Sequence, residues 1–74
     1  MYKNRLRDIR EDRDLSQKQL AEYLQVHQTT YSDYEIGKLN VSIPVLHMLA
    51  DFYNVSVDYL LCRTDIPIPY PKKK

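Results

Sequence analysis

Gln28, Thr29, Ser32 and Asp33 stand in the segment QTTYSDYE, spaced so that a helix carries them on one side and Tyr31 and Tyr34 on the other. All four are polar, short or of medium length, and end in hydrogen-bonding groups. A helix that lays such a face into the major groove of double-stranded DNA can bond the edges of the bases. Asp33 differs from the rest. An ionised carboxylate there faces the field of the phosphates and is unfavourable unless it accepts from a cytosine amino group.

The elements that must position this face lie around it. Ser16 to Lys38, SQKQLAEYLQVHQTTYSDYEIGK, reads as two short helices joined by a tight turn, one from about Gln17 to Leu24 and one from about Gln28 to Glu35. Leu20, Ala21 and Leu24 form one apolar face, and Val26, Tyr31 and Tyr34 the matching one. Ala21 is small enough to let the two helices cross closely. This is the helix-turn-helix layout, in which the second helix enters the major groove.

The rest of the chain supplies three more helices and no strand pattern. Helix 1 is expected from about Lys3 to Arg13, with Leu6 and Ile9 inward and Leu15 after its end. Ser16 followed by Gln19 is a capping-box pattern for helix 2. Gln25-Val26-His27 makes the turn into helix 3, and Gly37 ends that helix in a left-handed conformation. Ser42 caps helix 4, Pro44 is tolerated in its first turn, and it ends near Tyr53. Asn54-Val55 links it to helix 5, from about Val57 to Leu61, capped by Ser56. Helix 4 is apolar on two stripes. Leu46, Leu49, Ala50 and Tyr53 form one, read as core. Val45, Met48 and Phe52 form another, which either completes the core or, with helix 5 and the tail, meets a partner subunit. The tail TDIPIPYPKKK is expected to be extended and loosely attached, because Pro67, Pro69 and Pro71 forbid helix. Alternatively, Ile66, Ile68 and Tyr70 lie in a groove of the same or a partner subunit, or Lys72, Lys73 and Lys74 touch phosphate.

Seventy-four residues make one small domain, which buries only about 60% of its unfolded surface and gains from self-association. The net charge of +1 is weak for a nucleic-acid partner. Residues 1–62 carry Lys3, Arg5, Arg7, Arg10, Arg13, Lys18 and Lys38 against Asp8, Glu11, Asp12, Asp14, Glu22, Asp33, Glu35, Asp51 and Asp58, a slightly negative balance. Cys62 is the one cysteine, so no intramolecular disulfide forms, which suits a reducing compartment. MYKNRLRDIREDRD has no apolar core of a signal peptide, and no run is long enough to span a membrane. The expectation is a soluble, cytoplasmic protein. His27, His47 and Cys62 show no metal-ligand spacing, and there is no glycine-rich phosphate loop or paired-carboxylate cleft. The chain therefore reads as no enzyme, with no cofactor and no metal. No separate small-molecule ligand domain is expected, so control falls to abundance, a partner protein or dimer assembly.

The run LSQKQLAEYL, with Val26, Gln28, Tyr34-Glu35 and Gly37-Lys38 after it, resembles the phage Cro/repressor (Xre) class of helix-turn-helix regulators. LADFYNVSVDYLL, Leu49 to Leu61, resembles the closing helices of that class. The resemblance spans roughly residues 4 to 63. It implies an all-α, five-helix, lambda-repressor-like domain over 1–63, followed by a Pro/Lys-rich tail over 64–74. It also implies a transcriptional regulator, a repressor, that binds a double-stranded DNA operator as a homodimer. In this class the opening residues of helix 3 read bases and those of helix 2 grip phosphate. Gln28 then bonds adenine through N6 and N7, the Thr29 methyl meets a thymine methyl, and Ser32 and Asp33 follow one turn on. Gln17 holds a phosphate through its main-chain N–H and side-chain amide, with Thr30, Lys38 and Asn40 as further phosphate contacts. Arg10 and Glu35 form a structural ion pair that ties helix 1 to the recognition helix.

Three residues depart from the class. Gln25 stands where glycine is usual, at a left-handed turn that costs a non-glycine about 1–2 kcal/mol. Asp33 and Ile36 stand where basic or other polar residues are common. For Asp33 the alternatives to a base are an intramolecular partner, Lys18 or Arg10, and a position pointing away from the groove. Asp33, the acidic balance and the apolar helix 4 keep a second reading open: a protein-interaction module on the same fold that has lost DNA binding.

Overall fold

The computed structural model describes residues 4–69, and its elements run α1 (Leu6–Asp12), α2 (Gln17–Leu24), α3 (Gln28–Ile36), α4 (Ile43–Tyr53) and α5 (Val57–Leu60). No strand occurs among the described residues. The architecture is all-α, as expected, and the termini show why each helix sits where it does.

α1 starts later than its periodicity predicts, and Asn4 is the reason. Its Oδ1 accepts from the Leu6 N–H at 3.0 Å, while its Nδ2 donates to the Tyr34 carbonyl at 2.9 Å. A side chain that bonds the backbone two residues on builds a turn rather than a helix. Arg5 then gives its N–H to the Leu60 carbonyl, 2.8 Å away. Lys3, the expected start, lies outside the described residues, as do Tyr70, Pro71 and the three final lysines. α2 has the expected bounds. Ser16 Oγ accepts from Gln19 N at 3.1 Å and Gln19 Oε1 accepts from Ser16 N at 2.8 Å, so both halves of the box are made. α3 runs one residue past Glu35. Gly37 takes φ 79°, and the N–H groups of Lys38 and Leu39 return to the Asp33 carbonyl at 3.0 and 3.2 Å. Ser42 and Ser56 cap α4 and α5 through Val45 N and Tyr59 N. α5 is a single turn, one residue shorter than expected. Cys62 turns left-handed at φ 62° and the Arg63 N–H closes onto the Asp58 carbonyl at 2.9 Å.

The core gathers Leu6 and Ile9 from α1, Leu20, Ala21 and Leu24 from α2, Tyr31 and Tyr34 from α3, Leu49 and Tyr53 from α4, with Val55 and Leu60. Leu20 and Leu49 are fully enclosed, and each contributes about 1.5–3 kcal/mol through burial. α2 packs on α3, α1 on α3, and α4 on α5. The two expected stripes of α4 are redistributed. Leu46 is only half-buried and outside the core, whereas Val45 and Met48 pack against it. Phe52 lies between the Tyr23 ring, centroids 4.6 Å apart, and the Tyr53 ring at 4.9 Å. Val45 and Met48 of the second stripe are therefore used within the domain, and the apolar surface that α4 leaves open is Ile43, 71% exposed, with the outer part of Phe52.

The expected loose attachment of the tail is corrected over residues 64–69. Arg5 Nη2 pairs with the Asp65 carboxylate and donates to the Thr64 carbonyl, its Nε donates to the Tyr59 carbonyl, and Ser56 N donates to the Pro67 carbonyl at 3.2 Å. Proline keeps the strap extended, and these bonds hold it to α1 and α5. Among the described residues no helix is long and apolar enough to cross a membrane.

Candidate nucleic-acid interface

The helix crossing that Ala21 permits brings the N-termini of α2 and α3 to one surface. Gln17, Gln28, Thr29 and Ser32 line a shallow, open depression there. Gln28 and Thr29 are exposed and Ser32 is half-buried. The first N–H groups of any helix lack an acceptor in their own helix. In α2 the capping box satisfies Gln19, which leaves those of Gln17 and Lys18. His27 caps α3 by backbone conformation alone, with no side-chain bond, so the first turn of α3 is open as well. Two positive helix ends thus border one depression, a field that favours an anion such as a backbone phosphate.

Behind this surface lies a buried polar cluster. Arg10 Nε meets Glu35 Oε2 at 2.6 Å and Arg10 Nη2 meets Glu35 Oε1 at 3.3 Å. Arg10 Nη1 also donates to the Leu15 carbonyl at 2.8 Å. The Glu35 side chain is 2% exposed and that of Arg10 12%. Gln17 Nε2 donates to Glu35 Oε1 at 3.0 Å. That assignment is chemically forced, since a carboxylate only accepts. Burial alone pushes the Glu35 carboxyl up. The bonds from Arg10 and Gln17, with the Tyr31 hydroxyl alongside, outweigh it and hold the group below its ordinary 4.5. The same bond to Glu35 raises Arg10 against the effect of its own burial. Tyr31 and Tyr53 have buried hydroxyls without a hydrogen bond of good geometry. Burial raises both phenols, Tyr53 to about 12.

This cluster modifies the expected role of Gln17. One N–H of its side-chain amide is engaged with Glu35, so only the second amide N–H and the main-chain N–H remain open to an outer acceptor. Asp33 is half-buried and does not line the depression. Neither intramolecular partner considered for its side chain is found. Arg10 is committed to Glu35 and Leu15, and no ion pair joins Asp33 to Lys18 among the described residues. Thr30 is half-buried and Lys38 is exposed. Asn40 is exposed but belongs to a separate cleft of about 350 Å³ with Asn4, Gly37, Leu39, Val41, Leu61 and Arg63.

Sequence reasoning missed Arg5, which joins the start of α1 to residues 54 to 60 positions away and lies over the Tyr59 ring at 4.5 Å. No local pattern signals it, because all its partners are distant in the chain. It also missed the bond from Gln17 to Glu35. A polar residue at the start of one helix and a buried acid at the end of the next is the only trace of that bond in the sequence.

The family described as Helix-turn-helix matches residues 6–60, from the first residue of α1 to the last of α5. The chain is 39% identical over 74 residues to the uncharacterized HTH-type transcriptional regulator YobD of Bacillus subtilis (strain 168), covering 100% of this chain and 66% of that protein. It is 32% identical over 68 residues to the cryptic phage CTXphi transcriptional repressor RstR of Vibrio cholerae, covering 92% and 61%. A crystal structure of a transcriptional regulator from Listeria innocua superposes with a TM-score of 0.74 at 26% identity, covering 93% of this chain and 58% of that one. The chain thus spans about two thirds or less of the length of these relatives.

Proposed function

This chain belongs to the Helix-turn-helix family, and from that premise we propose that it binds double-stranded DNA sequence-specifically as a transcriptional regulator. The observation that carries the reading is the single exposed surface shared by the N-termini of α2 and α3, lined by Gln17, Gln28, Thr29 and Ser32. α3 enters the major groove. Gln28 pairs with adenine, Thr29 meets a thymine methyl, and Ser32 and Asp33 address the next bases, Asp33 through a cytosine amino group. Gln17, Thr30, Lys38 and Asn40 hold phosphates and fix the register. Arg10 and Glu35 act on orientation, since Glu35 restrains both α1 and the Gln17 amide. The likeness to RstR supports repression as the sign of regulation. The protein acts in the cytoplasm, without catalysis, as a homodimer. A two-fold dimer reads a roughly palindromic operator with half-sites about one helical turn, ~34 Å, apart.

The test is selection of bound sequences from a random pool of double-stranded DNA, with a Gln28→Ala, Thr29→Ala protein run in parallel. An enriched palindrome is expected with the wild type. The variant loses discrimination at the matching positions, by about 1–3 kcal/mol for the bidentate glutamine contact, and keeps its fold. No enrichment at low salt from a folded wild-type protein would overturn the reading.

A further inference from the structure

The strap and the separate cleft are two apolar features that the domain leaves open, and they match. Ile66 and Ile68 are 62% and 72% exposed. They alternate with Pro67, whose carbonyl is bonded to Ser56 N, so the strap is held while both isoleucines face away from the core. The cleft has an apolar lining from Leu39, Val41 and Leu61, with Asn40 and Arg63 as polar groups. Its volume, about 350 Å³, falls in the range of roughly 300–1,000 Å³ that accepts a small apolar group, so two aliphatic side chains fit its scale.

We propose that Ile66 and Ile68 of one copy of this chain seat in the Leu39–Val41–Leu61 cleft of a second copy, and that the exchange is reciprocal. The inference rests on the homodimer proposed above and assigns its surface. Three observations select a second copy as occupant. The strap's own bonds to Arg5 and Ser56 leave both isoleucines outside the cleft of the same chain. Ile66 follows Arg63, part of the cleft, by three residues, so at most ~11 Å of chain separates ridge from cleft and one two-fold axis can pair each with the other. The charges also complement each other. Asp65 heads the ridge with its side chain 97% exposed and only its Oδ1 engaged, by Arg5 of the same chain, while Arg63, which lines the cleft, has no side-chain hydrogen bond or ion pair among the described residues. Because the ridge is already held extended, docking requires little further ordering.

The experiment uses the full chain with Cys62→Ser, after circular dichroism and a thermal melt confirm that it matches the wild type. One preparation carries Leu39→Cys and another Ile68→Cys, both at exposed positions. Mixed under mild oxidation, they are expected to form a disulfide-linked heterodimer, identified by mass, that exceeds cross-linking of either alone. Separately, Ile66→Asp with Ile68→Asp should weaken self-association at least tenfold by sedimentation. A protein that sediments as a dimer but yields no mixed cross-link overturns the ridge-in-cleft assignment and leaves the dimer standing. A monomer at high micromolar concentration overturns both.

Discussion

Glu35 is held by Arg10 and Gln17 at a site that is almost closed to water, and its energetics follow from that enclosure. Removing one partner strands the other charge, whereas replacing both by apolar groups removes the need for either. Arg10→Ala is expected to cost about 3–5 kcal/mol in urea unfolding, and Arg10→Met with Glu35→Leu much less. Equal losses from the two proteins would argue against an enclosed pair. The pH dependence has a definite sign. The folded pKa of Glu35 lies below 4.5, so its contribution is present above about pH 4.5 and is lost as pH falls through the lower folded value. Thermal melts between pH 7 and 3 should therefore show a decline on the acid side that Glu35→Gln flattens. A wild-type melting temperature unchanged across that interval would refute the assignment. Tyr53 acts at the other end. Raised to about 12, it favours the fold below pH 10 and withdraws that contribution as pH climbs toward 12.

Helices and turns here are set by a few residues of special conformation. Asp14, Gln25, Asn54 and Cys62 all sit at positive φ, as does Gly37, in a chain with a single glycine. Asp and Asn tolerate this region because their side chains bond locally, but Gln25 has no such compensation. It occupies φ 59°, ψ 44° between the two helices that form the candidate interface. Gln25→Gly is expected to stabilise the domain by about 1 kcal/mol in urea unfolding. A loss of stability would mean that the side chain makes a compensating contact. The same turn fixes the angle at which α3 is presented, so the variant also tests whether the motif tolerates relief of strain. α2 shows why some bounds were legible. Ser16 and Gln19 are three residues apart, and their bonds are local. α1 shows the reverse, since its start depends on Asn4 reaching the Tyr34 carbonyl 30 positions away.

At the scale of the molecule, a net charge of +1 makes phosphate attraction a matter of local placement. Lys38 is exposed just past α3 and is proposed to meet a phosphate. Lys38→Ala should weaken binding by a similar factor on every sequence and lower the slope of log affinity against log salt by about 1, with the selected consensus unchanged. A changed consensus with the same slope would place Lys38 on a base instead. Arg5 acts over the same scale, tying the start of α1 to α5 and to the strap, so the two ends of the described chain are held as one body.

The sequence by itself determined the helices and their order, because caps, glycine and apolar periodicity act over three or four residues. It also marked Gln28, Thr29 and Ser32 as neighbours on α3, though Asp33, read with them, does not line their depression, and it carried the family. Only the tertiary structure decided how those groups are used. Gln17 gives part of its amide to Glu35, Asn40 falls in a different cleft from Gln28, Val45 and Met48 pack inward while Leu46 does not, and the strap is fastened by Arg5. Each of these depends on packing or hydrogen bonds between distant parts of the chain, and no local pattern records which partner a long polar side chain will find.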